Sequence, residues 1–181
     1  ELATETRLEV INEGGIKELL PNEALGQVIR ANLEKLNDLS YTDEEKTFAL
    51  RLQETFLEKQ PLDNIRKVEE LTSKVGMGST DVGDVSWIVP TAGFSTACWV
   101  PGTPGHSWQA VACGGTTIGR KGMVLAARTL AATAYDLFAD PQLVAAAKDE
   151  HRRRLDGRRY TPLMDKDQKP PLDYRNAGKS K

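Results

Sequence analysis

Cysteine and histidine are scarce in this 181-residue chain, which has two of each: Cys98 and Cys113, His106 and His151. Two cysteines are too few to staple a secreted disulfide scaffold and fit a reducing, cytoplasmic compartment, with one bridge between neighbouring strands left open. Long apolar runs are missing as well. None approaches the ~18 to 20 residues that span a bilayer, so no membrane partner is expected. Nor is there an excess of charge of either sign: 24 Lys and Arg stand against 26 Asp and Glu, a net −2 that offers no global field for nucleic acid. At the first residue, Glu1, there is no initiator Met, basic stretch or apolar stretch of a signal peptide. Because strand-like Thr6–Ile11 follows almost at once, with Leu8 and Val10 on one face, the chain is expected to be a piece of something longer.

What is present reads as one folded domain. A 39% hydrophobic and 28% charged composition is ordinary for a globular protein and excludes a disordered one. Leu25, Val28, Ile29, Leu33 and Leu36 recur every three or four residues behind Leu20-Pro21-Asn22 and predict an amphipathic helix to about Asn37. Thr42, with Glu45 three residues on, has the spacing of a capping box and predicts a second helix burying Phe48, Ala49, Leu52 and Phe56. A third helix is predicted from about Thr117 to Phe138, with Met123, Ala126, Ala127, Leu130, Ala131, Ala134 and Leu137 on a broad face suited to packing on a sheet. Asp140-Pro141 predicts a fourth, running to about Leu155 and stopped by Gly157. Between these lie three β-type runs, Ser86–Val89, Ser95–Val100 and Trp108–Cys113, each closed by Pro or Gly. Helices flanking a short sheet give an α/β expectation.

The chemistry concentrates between Gly78 and Met123. His106 stands in Thr103-Pro104-Gly105-His106-Ser107-Trp108-Gln109, on a tight turn that fixes the ring, as a metal ligand or proton carrier requires. A lone histidine is, on residue type alone, more often a satisfied core or surface group. His151, inside Asp149-Glu150-His151-Arg152-Arg153-Arg154, is expected to be such a solvated helix residue. Upstream, Gly78-Ser79-Thr80-Asp81-Val82-Gly83-Asp84 either gathers Asp81 and Asp84 near one site, exposes backbone N–H groups as an anion nest, or is a plain turn. A Ser79–His106–Asp nucleophilic triad carries little weight, since no Gly-x-Ser-x-Gly elbow surrounds Ser79. Gly178-Lys179-Ser180 lacks the first glycine of a phosphate loop, and the basic run at Arg152–Arg154 reads as a solvated face. Trp87, Trp99 and Trp108 fit core packing as readily as substrate stacking.

Taken together, Gly78-Ser79-Thr80-Asp81, Trp99-Val100-Pro101-Gly102 and Gly105-His106-Ser107 resemble the C-terminal part of the dinuclear zinc amidohydrolases related to acetylornithine deacetylase, aminoacylase and glutamate carboxypeptidase. Within that family the wording through Arg120-Lys121-Gly122-Met123 looks most like the branch formed by the B subunits of p-aminobenzoyl-glutamate hydrolases. The resemblance implies the C-terminal portion of a three-layer α/β/α catalytic domain over residues 19–160. The last strand of an inserted lid, or dimerisation, domain would precede it over 1–18, and an extended tail would follow over 161–181. It implies hydrolysis of an N-acyl or N-aroyl amino acid with two divalent metal ions, zinc in the first place and Mn or Co as substitutes. His106 would be the last metal ligand, and Gly78, Ser79 and Thr80 would lie against the substrate carboxylate. Its implied partners are the small-molecule substrate, the missing N-terminal half with the other ligands and the general-base Glu, and a further subunit in a homodimer or heteromer. No catalytic residue maps onto this chain, which alone would be inactive. One departure is visible: Gln109 and Ala110 stand where many relatives place a Glu after the ligand His. The rival reading is an accessory or binding protein that keeps the fold without the metal.

Overall fold

The computed structural model describes residues 6–8, 12, 14–72, 78, 80–170, 172 and 175. Among these, the regular elements are helices: α1 (Glu23–Leu36), α2 (Asp43–Gln53), a 3₁₀ turn (Leu62–Arg66), α3 (Val82–Ser86), α4 (Trp108–Gly114), α5 (Thr117–Ala139) and α6 (Pro141–Leu155). The long helices begin where side chains satisfy free amides. Asn22 accepts from the Leu25 amide, Thr42 and Glu45 form the reciprocal capping box, and Asp140 accepts from Gln142 ahead of Pro141.

α5 is the spine. It packs against α1, α4 and α6, and α6 also packs on α1. The α1–α5 seam holds a polar cluster in which Asn32 donates to Asp136 at 2.7 Å and to Thr133 at 3.4 Å. The α1–α6 seam is pinned at its end. Asn22 donates to the Ala147 carbonyl at 2.8 Å, while Glu150 accepts from the Glu23 and Ala24 amides at 2.9 and 2.7 Å. Burial alone would raise the Glu150 pKa, but those two amides and the Arg154 guanidinium outweigh it and hold the carboxyl below its ordinary range. The apolar core is split into two small clusters. One joins α2 to α4 and α5 through Ala49, Leu52, Val100, Cys113 and Ile118, and the other gathers Leu39, Ile65 and Leu125.

The α/β expectation is overturned: among the described residues no sheet forms, and the β-type pairing consists of one parallel bridge between Pro21 and Thr91. With it goes the three-layer α/β/α architecture. The physical reasons are local. A strand at Trp108–Cys113 would bury alternate residues, but the buried members are Gln109, Ala110 and Cys113, a spacing that suits a helical turn, and Ser107 caps that turn by accepting from the Ala110 amide. In Ser86–Val89 the Ile88 and Val89 amides both donate back to the Val85 carbonyl, so the run closes helix α3. Ser95–Val100 crosses α5 without a strand partner among the described residues, at the point where Gly122 lets the two backbones meet. Half of Thr6–Ile11, the expected strand, lies outside the described residues, and Thr6–Leu8 form no strand.

Two further expectations change. His151 is buried, not solvated, with Nε2 at 2.8 Å from the Ser86 carbonyl. α5 buries Ile118, Gly122, Leu125, Thr129 and Thr133, whereas Met123 and Leu130 on the predicted core face are 60% and 57% exposed. No helix among the described residues is long and apolar enough to cross a membrane.

Candidate functional site

The His106 turn is built from both sides. On its N-terminal side Val100 is buried in the α2–α4–α5 cluster, and Thr103 bonds back to the Val100 carbonyl through its amide at 3.0 Å and its hydroxyl at 2.7 Å. Pro101-Gly102 turns the chain there, with Gly102 at φ 88° and only 3.0 Å between a hypothetical Cβ and the Glu58 carbonyl, so glycine is required on two counts. The buried Gln53 of α2 clamps this corner, donating to the carbonyls of Gln60 at 2.7 Å and Pro101 at 3.0 Å.

On its C-terminal side Ser107 locks the turn. Its hydroxyl donates to the Pro104 carbonyl at 2.7 Å and accepts from the Ala110 amide at 3.2 Å. Held between these fixed points, His106 adopts φ 55°, one of two non-glycine residues with positive φ among those described. For a side chain with a Cβ this left-handed conformation costs free energy, and such residues gather at functional positions. The His106 ring is exposed and makes no hydrogen bond to another described residue. An exposed imidazole with neither ring nitrogen bonded to a described residue suits a ligand and differs from a core histidine such as His151.

The other expected site residues are distributed differently. Thr80 uses its hydroxyl locally, accepting from the Val82 amide at 3.3 Å at the start of α3. Gly78 has open space where a Cβ would stand. Ser79 lies outside the described residues, and with it any Ser79–His106 triad. No hydrogen bond among the described residues joins Gly78 or Thr80 to the His106 turn. Asp84 is a structural anchor: it accepts from the Lys17 amide at 2.9 Å and bonds Tyr160, whose pKa is raised by desolvation and by the Asp84 charge. Asp81 makes no capping bond. Gly178-Lys179-Ser180 also falls outside the described residues.

Gln109, which replaces the expected acidic residue, is buried and donates to the Thr55 hydroxyl at 3.3 Å, tying α4 to the end of α2. Along with Gln53 and Ser107 it supports the His106 turn. Only the Ser107 cap has a signal readable in sequence, because the two glutamines act through contacts 48 and 54 residues away. Trp87 is buried, donates to the Glu18 carbonyl at 3.0 Å and has the Lys17 and Arg158 cations 5.2 and 5.0 Å from its ring centroid, so it belongs to the packing. Trp108 and Trp99 are exposed. Arg154 pairs with Glu23 and Glu150, and Arg152 with Asp149. Both cysteines are free thiols.

Among the described residues no three His, Cys, Asp or Glu side chains approach closely enough to hold a metal ion. His106 thus offers one donor, whereas a catalytic zinc site takes three protein ligands and a water.

The chain is homologous over part of its length to the B subunit of p-aminobenzoyl-glutamate hydrolase from Escherichia coli (strain K12), with 42% identity over 127 residues. The matched stretch covers 69% of this chain and 25% of the relative, so the chain spans about a quarter of that protein's length. No family model matches the chain, and no solved structure matches it.

Proposed function

We propose that this chain forms part of a metal-dependent amidohydrolase that cleaves the amide bond of an N-acyl or N-aroyl amino acid of the p-aminobenzoyl-glutamate kind, and that His106 supplies one of its metal ligands. The observation that carries the reading is the His106 turn. A histidine held at φ 55° by the turn that Thr103 and Ser107 close, exposed and unbonded among the described residues, stands at a strained backbone position with its ring available to a ligand. Support comes from the relative's name, that of a hydrolase of p-aminobenzoyl-glutamate.

In this reading His106 would be one of the residues holding a pair of divalent ions, zinc or in its place Mn or Co, and the chemistry they would supply is polarisation of the scissile carbonyl and activation of water. The chain's own residues bind and orient. His106 presents its imidazole from a turn whose backbone Thr103 and Ser107 fix. Gly78, Ser79 and Thr80 line the wall facing the substrate carboxylate. The general base and the other ligands belong to polypeptide beyond the described residues, and the two free thiols suit a reducing cytoplasm.

Chelation tests the reading. Turnover of an N-aroyl-glutamate by the hydrolase assembled with this chain should vanish on metal removal and return with Zn²⁺, Mn²⁺ or Co²⁺. Activity that survives complete metal removal would point to a serine nucleophile and overturn it.

A further inference from the structure

α3 is too short to place itself. It has five residues and no side-chain cap from Asp81, so its position is set by what grips it. Residues 17–20 supply one grip: Asp84 accepts from the Lys17 amide at 2.9 Å, the Ser86 hydroxyl accepts from the Leu20 amide at 2.8 Å, and Trp87 donates to the Glu18 carbonyl at 3.0 Å. Gly83 lies so close to the same segment that a Cβ would collide with the Lys17 carbonyl oxygen. The other grip comes from α6. Ser86 is fully buried, and its carbonyl stands at the C-terminal end of α3, where a helix leaves carbonyls without partners of its own. His151 Nε2 lies 2.8 Å from that oxygen. Because a carbonyl only accepts, Nε2 carries the hydrogen and donates it. His151 is 7% exposed; burying an imidazole costs free energy that an apolar side chain would not, and the bond that offsets the cost goes to α3. The preceding residue, Glu150, accepts from the Glu23 and Ala24 amides. Two consecutive side chains of α6 therefore hold α1 and α3.

The far end of α3 carries Thr80. The Gly83 and Asp84 amides donate to the Thr80 and Asp81 carbonyls at 3.5 and 3.2 Å, and the Thr80 hydroxyl accepts from the Val82 amide at 3.3 Å. A shift of α3 moves Thr80 with it. We infer that His151 is a positioning residue, which fixes α3 through the Ser86 carbonyl and so holds Thr80 in place to meet the substrate carboxylate. The inference rests on the functional reading above, which puts Thr80 at that carboxylate. A contact made equally before and during reaction is read in KM and not in kcat, so the loss of His151 should appear in KM.

The test measures kcat and KM of the zinc-loaded hydrolase assembled with this chain, on an N-aroyl-glutamate and on the same compound with its α-carboxylate converted to the carboxamide. Four forms are compared: unaltered, His151→Gln, His151→Met and His151→Leu. Met and Leu remove the donor in two shapes, whereas the Gln amide can donate to the same carbonyl. For the acid, Met and Leu should raise KM about 10-fold with kcat within about twofold, and for the carboxamide both constants should stay unchanged. His151→Gln should restore most of the KM for the acid. Unchanged KM in the Met and Leu forms, a fall in kcat alone, an equal rise in KM for both substrates, no rescue by Gln, or failure of both Met and Leu forms to assemble would each overturn the positioning role. An unaltered assembly whose turnover survives metal removal, or that binds acid and carboxamide alike, would overturn the functional reading and this inference with it.

Discussion

Ser107 and Pro104 are bonded at 2.7 Å, hydroxyl to carbonyl, across the turn whose apex is His106. The same hydroxyl accepts from the Ala110 amide and starts α4, so one side chain both closes the turn and nucleates the helix that follows. Ser107→Ala should therefore cost about 1 kcal/mol of stability, as loss of an N-cap does. It should also weaken metal binding in the assembled hydrolase, leaving His106 present but poorly held. Urea unfolding and metal titration of the same variant check the two effects.

Replacing His106 separates strain from function. At φ 55° a glycine relieves the left-handed penalty and an alanine does not. His106→Gly should be more stable than His106→Ala by ~0.5 to 1 kcal/mol, net of glycine's greater unfolded-state entropy. Both should lose the ligand equally. Equal stabilities in urea would mean that the turn relaxes around the residue at no cost.

Gly122 is fixed by close approach. A Cβ there would lie 2.7 Å from the Ala97 carbonyl oxygen and the Cys98 sulfur, and 2.8 Å from the Cys98 amide. Two of these three are backbone atoms that cannot swing aside. Gly122→Ala should cost about 1 to 3 kcal/mol by forcing α5 away from the Ser95–Val100 segment. A fall in the urea midpoint at constant slope is the expected result.

Acid should unpin α1 from α6. Glu150 has its folded pKa held below the ordinary 4.5, so its contribution is complete above that value and is lost as pH falls through the lower folded value. Glu45 behaves alike: burial would raise its pKa, but its bond to Lys121 at 2.6 Å and the Thr117 and Thr42 donors outweigh that and lower it. Glu150→Gln should cost about 1 to 3 kcal/mol near neutral pH, because the Glu23 and Ala24 amides lose a charged acceptor. The gap from the unaltered chain should then narrow on acidification below about pH 4.5. Urea unfolding of both forms across that range measures it.

The helices are legible in the sequence because their signals are local. Asn22, the Thr42–Glu45 pair and Asp140-Pro141 each announce a helix start within three or four residues, and the structure begins α1, α2 and α6 at those places. The strand-like runs mislead because four to six apolar residues do not distinguish period two from period 3.6. At Trp108–Cys113 the deciding residue is Ser107, just outside the run. The burial of His151 is hidden because its partner, the Ser86 carbonyl, is 65 residues away and its sequence neighbours are charged. The outer face of α5 is apolar as its sequence indicates, but among the described residues no sheet covers it. For the site, the Pro-Gly-His-Ser turn can be read directly, whereas Gln53 and Gln109 gain their supporting roles only through long-range contacts.

The most direct measurement of the central claim is the metal content of the hydrolase assembled with this chain, unaltered and as His106→Ala, read together with turnover. If His106 is a ligand, the substitution removes at least one of the two bound metals and abolishes turnover while the assembly stays intact. Two metals still bound and full activity in His106→Ala would contradict it.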